Sequence, residues 1–419
     1  MKNSEFDWIV IGGGISGITL SEILSREGHK VLLLEKNDQL ATETTKVFHE
    51  WMHSGALYSL VPDNLLSMRY LLGATDDLLE YYSCFEKMNF LATSNGVKVN
   101  TEIEDGWFNP ERIEFRYRMR KMNPVWMALV SKSLNLIDKI NSHDWLRRRA
   151  GAEYTAAEAG FFQSLSYLSE TYSHNKKFYS KTSTDVTMNS RILLADLLDS
   201  FVRRDGEIIV SCAVHNIKEK NKSVEVDSDC GILKAKNVVV CSPDFIAREF
   251  NLPVKVSYAP MIIVDNIPDT ECSFVELDYQ TKKCINLLKK TGGIAQAGGI
   301  SVSNINEVEP YLEYLKDEHK KRNPDMRFID SYIGLKKELV QKNENRNYLY
   351  HITKQSSRVW SVMLGKFSLA FSLGPEFYRR VYNKNPAKFF VDSKTDKHEL
   401  KGILSPCSWE EISNLRGRK

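Results

Sequence analysis

The stretch D-W-I-V-I-G-G-G-I-S-G, residues 7–17, constrains this chain more than any other. Asp7 to Ile11 reads as a short apolar strand, and three glycines follow it. A helical pattern then opens, with apolar Ile18, Leu20, Ile23 and Leu24 on one side. Gly28 ends that helix, and Val31–Leu34 supplies a second buried strand that closes at Glu35. Gly12, Gly14 and Gly17 therefore match G-x-G-x-x-G in the strand–turn–helix setting that gives the motif its meaning. Gly12 makes the tight turn, Gly14 lets the backbone approach a pyrophosphate, and Gly17 lets helix and strand close on each other. The helix N-terminus faces the phosphates. Glu35 is placed to accept hydrogen bonds from ribose hydroxyls, and an acid there disfavours a 2′-phosphate.

The other segments fit an α/β chain of more than one domain. Residues 63–90 read as a helix with Leu65, Leu66, Met68, Leu71, Leu72, Leu78 and Leu79 as its apolar stripe. Residues 112–120 alternate Ile113, Phe115, Tyr117 and Met119 against Arg112, Glu114, Arg116, Arg118 and Arg120. That period predicts a strand with a basic face, read as a solvated edge or as a surface for an anionic partner or lipid. Residues 125–149 look helical. A helix capped by Asn189 or Ser190 leads to strands at 208–210, 224–226 and 238–240, and a late strand at 358–364 precedes Gly365 and a helix to about Val381. Residues 391–419 form a polar, basic tail.

With 419 residues, 42% hydrophobic and 26% charged, the chain has the composition of a soluble globular protein. A net charge of +3 argues against a dedicated nucleic-acid binder. Seven scattered cysteines without a C-x-x-C pair read as a reduced, intracellular chain. No secretory leader or membrane-spanning run is apparent, so a cytoplasmic location is expected, with peripheral attachment to a membrane as an added option through Arg112–Lys121.

His49-Glu50-Trp51-Met52-His53 is a literal H-E-x-x-H. On a helix it would present two imidazoles to zinc, with Glu50 as general base and Glu80 as a further ligand. Ser54-Gly55 follows directly, where a metallopeptidase helix would continue, so a zinc hydrolase is the remote reading and no metal is expected.

The nucleotide motif sits at the extreme N-terminus, and compatible α/β segments recur near 190–244 and 358–381. That discontinuity favours FAD over NAD, and the lack of a second glycine fingerprint speaks against an enzyme that consumes NAD(P)H through its flavin. At these residues the chain resembles the D-amino-acid-oxidase-like family of FAD-dependent oxidoreductases. Residues 7–36 carry the resemblance, with M-H-S-G-A-L-Y-S at 52–59, the helix–strand order ending in V-V-V-C-S-P by 243, and V-W-S-V-M-L-G-K-F-S-L-A-F at 359–371.

The resemblance implies an α/β fold: a discontinuous Rossmann-like FAD-binding domain (1–90, 181–255, 345–390) and a second α+β substrate domain on a mostly antiparallel sheet (91–180, 256–344). It implies FAD contacts from Gly12, Gly14, Ile15, Ser16, Gly17, Glu35, Lys36, Thr44, Thr45, His53, Gly55, Val214, Ser242, Gly365, Lys366, Phe367 and Ser368. It implies oxidation of a CH–OH or CH–NH group by hydride transfer to flavin N5, with His53 as base and Lys336 as contact to a small anionic substrate. The electron acceptor, whether oxygen, a quinone or a protein, is left open. Two departures stand out. Cys241-Ser242-Pro243 replaces the family's alanine-glycine, and Gly334-Leu335-Lys336-Lys337 replaces a stretch whose arginine grips a carboxylate. A flavoprotein that uses FAD without redox chemistry is the alternative.

Overall fold

The computed structural model describes residues 6–55, 57–58, 66–93, 96–118, 172–174, 178–278, 281, 283–340, 349–388, 400 and 402–416. The helix expected over 125–149 lies outside them, as do Met119, Arg120 and Lys121.

Two large sheets organise these residues. The first runs in the order β10 (Val214–Glu219), β11 (Val224–Ser228), β12 (Gly231–Val240), β1 (Phe6–Ile11), β2 (Val31–Leu34) and β9 (Glu207–Ile209). β19 (Val359–Leu364) joins the far half of β12, and β18 (Tyr350–Lys354) joins β19. β9, β2, β1, β12 and β19 are mutually parallel at each junction, and β10, β11 and β18 add antiparallel pairs. The parallel strands are covered on both faces, which is why Val31–Leu34 is apolar at every position instead of alternating. α1 (Ile15–Arg26), α3 (Ser190–Val202) and α6 (Ala370–Tyr382) pack on one face. Trp8, Leu33, Ile18, Leu24, Leu194 and Phe377 are fully buried between them.

The second sheet is mostly antiparallel. Its order is β17 (Arg327–Leu339), β13 (Val254–Asp265), β16 (Ala295–Gly299), β15 (Lys283–Lys289), β14 (Phe274–Asp278), β6 (Phe108–Arg118), β8 (Phe178–Met188) and β3 (Trp51–Met52), with β7 (Tyr172–His174) beside β8. α5 (Val308–Arg322) buries Val308, Leu312 and Leu315 against it. α2 (Leu66–Tyr81), the small hairpin of β4 (Phe90–Thr93) and β5 (Gly96–Val99), and α4 (Pro243–Phe250) complete the framework.

Several expectations need correction. The helix expected over 63–90 stops at Tyr81. Arg26 donates to the Tyr81 carbonyl at 2.7 Å, and its guanidinium lies over the Tyr82 and Phe85 rings, so the chain turns there. The basic strand is interior, since β6 pairs with both β14 and β8. Its Arg116 is also committed: it forms ion pairs at 2.8 Å with Glu114 and Glu271 and lies over Phe274. β8 runs to Met188 inside the second sheet, past the boundary expected at 181.

The C-terminal tail is not set apart. The Leu40 N–H donates to the Ile403 carbonyl and the Ser405 N–H donates to the Leu40 carbonyl, on either side of Leu404, and α7 (Ser408–Arg416) docks with Cys407 fully buried. Its sequence hid this because the contacts are scattered and long-range: Leu400, Ile403 and Leu404 pack on the core, Cys407 is buried, and the Trp409 indole reaches Glu50. Among the described residues, no helix is long and apolar enough to cross a membrane. All seven cysteines are free.

Candidate functional site

Two cavities lie end to end along the junction of the sheets. The first, about 340 Å³, opens at the C-terminal ends of β1, β2 and β12. That is where parallel α/β sheets bind ligands. Gly12, Gly14, Ile15, Ser16, Glu35, Lys36, Thr44, Thr45, Val214 and Ser242 line it, all of them expected from sequence.

The glycines work as their spacing requires. Gly12 has φ +109°, and a Cβ there would press on the Cys241–Ser242 peptide at 3.2 Å. A Cβ on Gly17 would sit 1.9 Å from the Gly12 carbonyl oxygen, so Gly17 does not line the cavity but lets α1 close on β1. The first turn of α1 carries no acid, which leaves its N-terminal dipole open to an anion. Thr45 Oγ1 accepts from the Ile15 N–H at 3.1 Å. Glu35 accepts from the Gly13 N–H at 2.7 Å and the Asn37 N–H at 3.0 Å. These two bonds fix the carboxylate and leave it lone pairs for hydroxyl donors.

Sequence reasoning missed the rim. Glu43 pairs with Lys36 at 2.6 Å and Lys337 at 3.3 Å, and Lys337 reaches Asp244 at 2.6 Å. The contact joins a loop after β2 to β17 and to α4, and nothing local in the sequence connects the three.

The second cavity, about 300 Å³, shares Phe48 with the first and continues from Leu364 to Gly365. His53, Lys336, Gly365, Lys366 and Phe367 line it, as does Tyr58. Tyr258 packs against the α5 cluster. Gly55 and Ser368 stand behind His53. Gly55 has φ +109° and no room for a Cβ against Met68. Ser368 Oγ accepts from the His53 N–H at 2.9 Å and donates to the Trp51 carbonyl at 3.2 Å.

His53 is held on several sides. Its ring lies 4.2 Å from Trp51 and meets the edge of Tyr58 at 5.3 Å. Its Nδ1 is 3.5 Å from Asp185 Oδ2, an ion-pair distance that a small ring rotation would close to a hydrogen bond. Asp185 is itself fixed by Ser54 and by the Trp51 indole at 2.8 Å. Burial pushes the His53 pKa down; Asp185 opposes this, Lys366 and Lys336 reinforce it, and the result is about 4. The imidazole is therefore neutral at pH 7. Lys336 is buried, not solvated, and pairs with Glu338 at 2.8 Å. The Lys366 ammonium lies 5.0 Å above the Tyr58 ring.

The H-E-x-x-H match is not on a helix. Glu50 has φ +55°, and Trp51–Met52 is a two-residue strand of the second sheet. Glu50 is consumed elsewhere: it accepts from Ser190 N at 2.9 Å, Lys290 Nζ at 2.8 Å and Trp409 Nε1 at 2.7 Å. Burial opposes its charge, but Lys290 and Ser190 outweigh this and hold its pKa down to about 2. Glu80 pairs with Lys388, away from both histidines. Among the described residues no cluster of three His, Cys, Asp or Glu side chains could hold a metal ion.

Solved structures with the same fold include L-α-glycerophosphate oxidase from Mycoplasma pneumoniae (TM-score 0.64, 15% identity, 94% of this chain and 98% of that one). They also include L-amino acid deaminase from Proteus vulgaris (TM-score 0.60, 15%, 91% of each) and glycine oxidase from Geobacillus kaustophilus (TM-score 0.59, 12%, 95% and 100%). At these identities the likeness shows the fold alone. UDP-galactopyranose mutase from Mycoplasma pneumoniae is 48% identical over 56 residues, a match that spans 12% of this chain and 14% of the mutase. The family described as FAD dependent oxidoreductase matches residues 7–285, well over half of the chain and all of the first βαβ unit. The chain belongs to that family and is an FAD-dependent oxidoreductase.

Proposed function

We propose that the chain oxidises a CH–OH or CH–NH group of a small anionic molecule in the second cavity, with His53 taking the proton. The observation that carries this reading is a buried, neutral imidazole lining a cavity that continues directly into the dinucleotide cavity. In this reading Gly12, Gly14, Ile15, Ser16, Thr44 and Thr45 receive the pyrophosphate. Glu35 and Lys36 hold the ribose, and Val214 and Ser242 flank the adenosine. Gly365, Lys366 and Phe367 meet the ring system at the N-terminal approach to α6, while Gly17, Gly55 and Ser368 keep the backbone in place. The fit is physical: a glycine cradle closed against the Ser242 peptide, an unopposed helix N-terminus and a fixed carboxylate suit the three parts of a dinucleotide. The two sheets correspond to a cofactor domain and a substrate domain. When bound, FAD supplies the two-electron oxidation.

The chain's own residues then do three things. Asp185 orients His53 and would stabilise the imidazolium once the proton arrives. Lys366 gives the cavity positive charge, Lys336 is matched by Glu338, and Glu50, the lining carboxylate among the described residues, is matched by Lys290. Trp51, Leu57, Phe48 and Leu277 exclude water around the reacting carbon. α-Glycerophosphate and glycine, the compounds after which two of the similar proteins are named, each carry an acidic group, in keeping with an anionic substrate.

The test is anaerobic stopped-flow reduction of flavin-loaded protein. His53→Ala should keep its flavin and lose reduction by about 100-fold or more, the usual scale for a general base. Reduction at the parent rate would remove His53 from the mechanism. In the parent enzyme the acid limb of kcat/KM should lie near pH 4, not near 6.5, because a base is active when deprotonated and burial has lowered its pKa.

A further inference from the structure

We propose that His49 and Asn286 form a subsite for a hydroxyl group of the substrate, distinct from the group that is oxidised. The inference rests on reading this cavity as the oxidation site. Both side chains line it. His49 belongs to the loop before β3, and Asn286 sits in β15, directly opposite Gly298 of β16. The reacting end belongs to His53, whose ring neighbours are Trp51 and Tyr58.

Among the described residues, neither His49 Nε2 nor Asn286 Oδ1 has a hydrogen-bond partner. Folded chains seldom leave two buried polar atoms unmatched side by side. These two border one spot. A Cβ built on Gly298 would lie 2.6 Å from His49 Nε2 and 3.3 Å from Asn286 Oδ1. Whichever tautomer it adopts, the His49 ring carries one N–H and one lone pair, and Asn286 Oδ1 is an acceptor.

The chemistry of the pair selects the ligand. A carboxamide oxygen only accepts, and a neutral imidazole offers one N–H and one lone pair. A hydroxyl satisfies both, donating to Asn286 Oδ1 and accepting from the imidazole N–H. An ammonium could donate to Asn286, but it would enter a cavity that Lys366 also lines, where Glu338 and Glu50 are already paired with Lys336 and Lys290. A phosphate or carboxylate at this spot would confront the Asn286 oxygen. The substrate class is thus a small anion carrying a hydroxyl in addition to the reacting CH–OH or CH–NH, such as a polyol phosphate or a hydroxylated amino acid.

The test is calorimetric binding to flavin-loaded protein, reduced with dithionite so that no turnover intervenes. The probes are glycerol 3-phosphate, propane-1,2-diol 1-phosphate, glycerol and propane-1,2-diol. In each charged or neutral pair the member with the extra hydroxyl should bind about tenfold tighter or more, since a site built for a hydroxyl discriminates against its absence. His49→Phe and Asn286→Leu, each verified by its flavin spectrum, should bring that ratio to within about twofold. Equal affinities in the parent protein, a ratio that survives both substitutions, or no binding by any probe would overturn the subsite. The parent ratio decides the matter even if a variant does not fold. The phosphate contrast is read separately. Its absence, with the hydroxyl contrast intact, would overturn the anionic reading and support the subsite.

Discussion

His319 shows how a single buried side chain ties stability to pH. It lies on α5 near Phe274, and neither ring nitrogen has a partner among the described residues. Burial lowers its pKa from 6.5 to about 3, with Arg322 adding to the effect and Glu318 opposing it. The unfolded chain therefore binds an extra proton below pH 6.5 while the folded chain does not. Stability from this residue is complete above about pH 6.5 and is lost as pH falls towards 3. His49 and His53 act in the same direction. Between pH 6.5 and 5 the parent protein should lose about 2 kcal/mol through His319 alone. His319→Leu should remove that part of the loss in denaturant titrations at the two pH values, and an unchanged difference would contradict this account. Gly17 is the other residue with a sharp consequence. Gly17→Ala places a methyl where the Gly12 carbonyl oxygen lies, so the variant should purify with little flavin and a lower Tm. Parent flavin content in that variant would refute the packing role.

At the scale of elements, sequence legibility followed the range of the interactions. The opening βαβ unit was readable because its signals are local: an apolar strand, glycines at fixed spacing, and an acid at the end of β2. β12 and β19 were readable as buried runs for the same reason. β3 was not, because two residues have no period, and their place is set by pairing with Val186 and Thr187 far along the chain. Ser54-Gly55 spoke against a helix through the H-E-x-x-H, but nothing local marked the strand that replaces it. Its true fixture is Glu50, which caps α3 through the Ser190 N–H and gathers Lys290 and Trp409 from distant segments. Lys290→Met should leave a buried carboxylate without its cation and cost about 3–5 kcal/mol. Trp409→Phe removes one hydrogen bond and should cost about 1–3 kcal/mol. Thermal unfolding checks both, and a Trp409→Phe variant at parent Tm would show that α7 does not anchor the loop.

Across the whole molecule, the two sheets were foreseeable in kind but not in their junction. The parallel sheet and the mostly antiparallel sheet follow from strand patterns, and the first cavity from the early glycine motif. The joint follows from residues that no pattern marks: Lys337 from β17 meeting Glu43 and Asp244, the Thr44 hydroxyl donating to the Leu335 carbonyl, and Phe48 lining both cavities. The lysines at 336 and 337 illustrate the limit. They are neighbours in sequence, yet Lys336 lines the second cavity beside Glu338 while Lys337 closes the rim of the first. Alternation along a strand separates them, and only the assembled sheet shows which side is which.

The central claim is that FAD in the first cavity oxidises a small molecule held in the second. Anaerobic absorbance titration of the flavin-loaded protein tests it most directly, using hydroxylated phosphates, hydroxy acids and amino acids. The account predicts a band at roughly 450 nm, the mark of oxidised flavin, that at least one of these bleaches. A protein that purifies colourless and takes up no FAD, or a flavin that dithionite reduces but no member of the panel does, would contradict it.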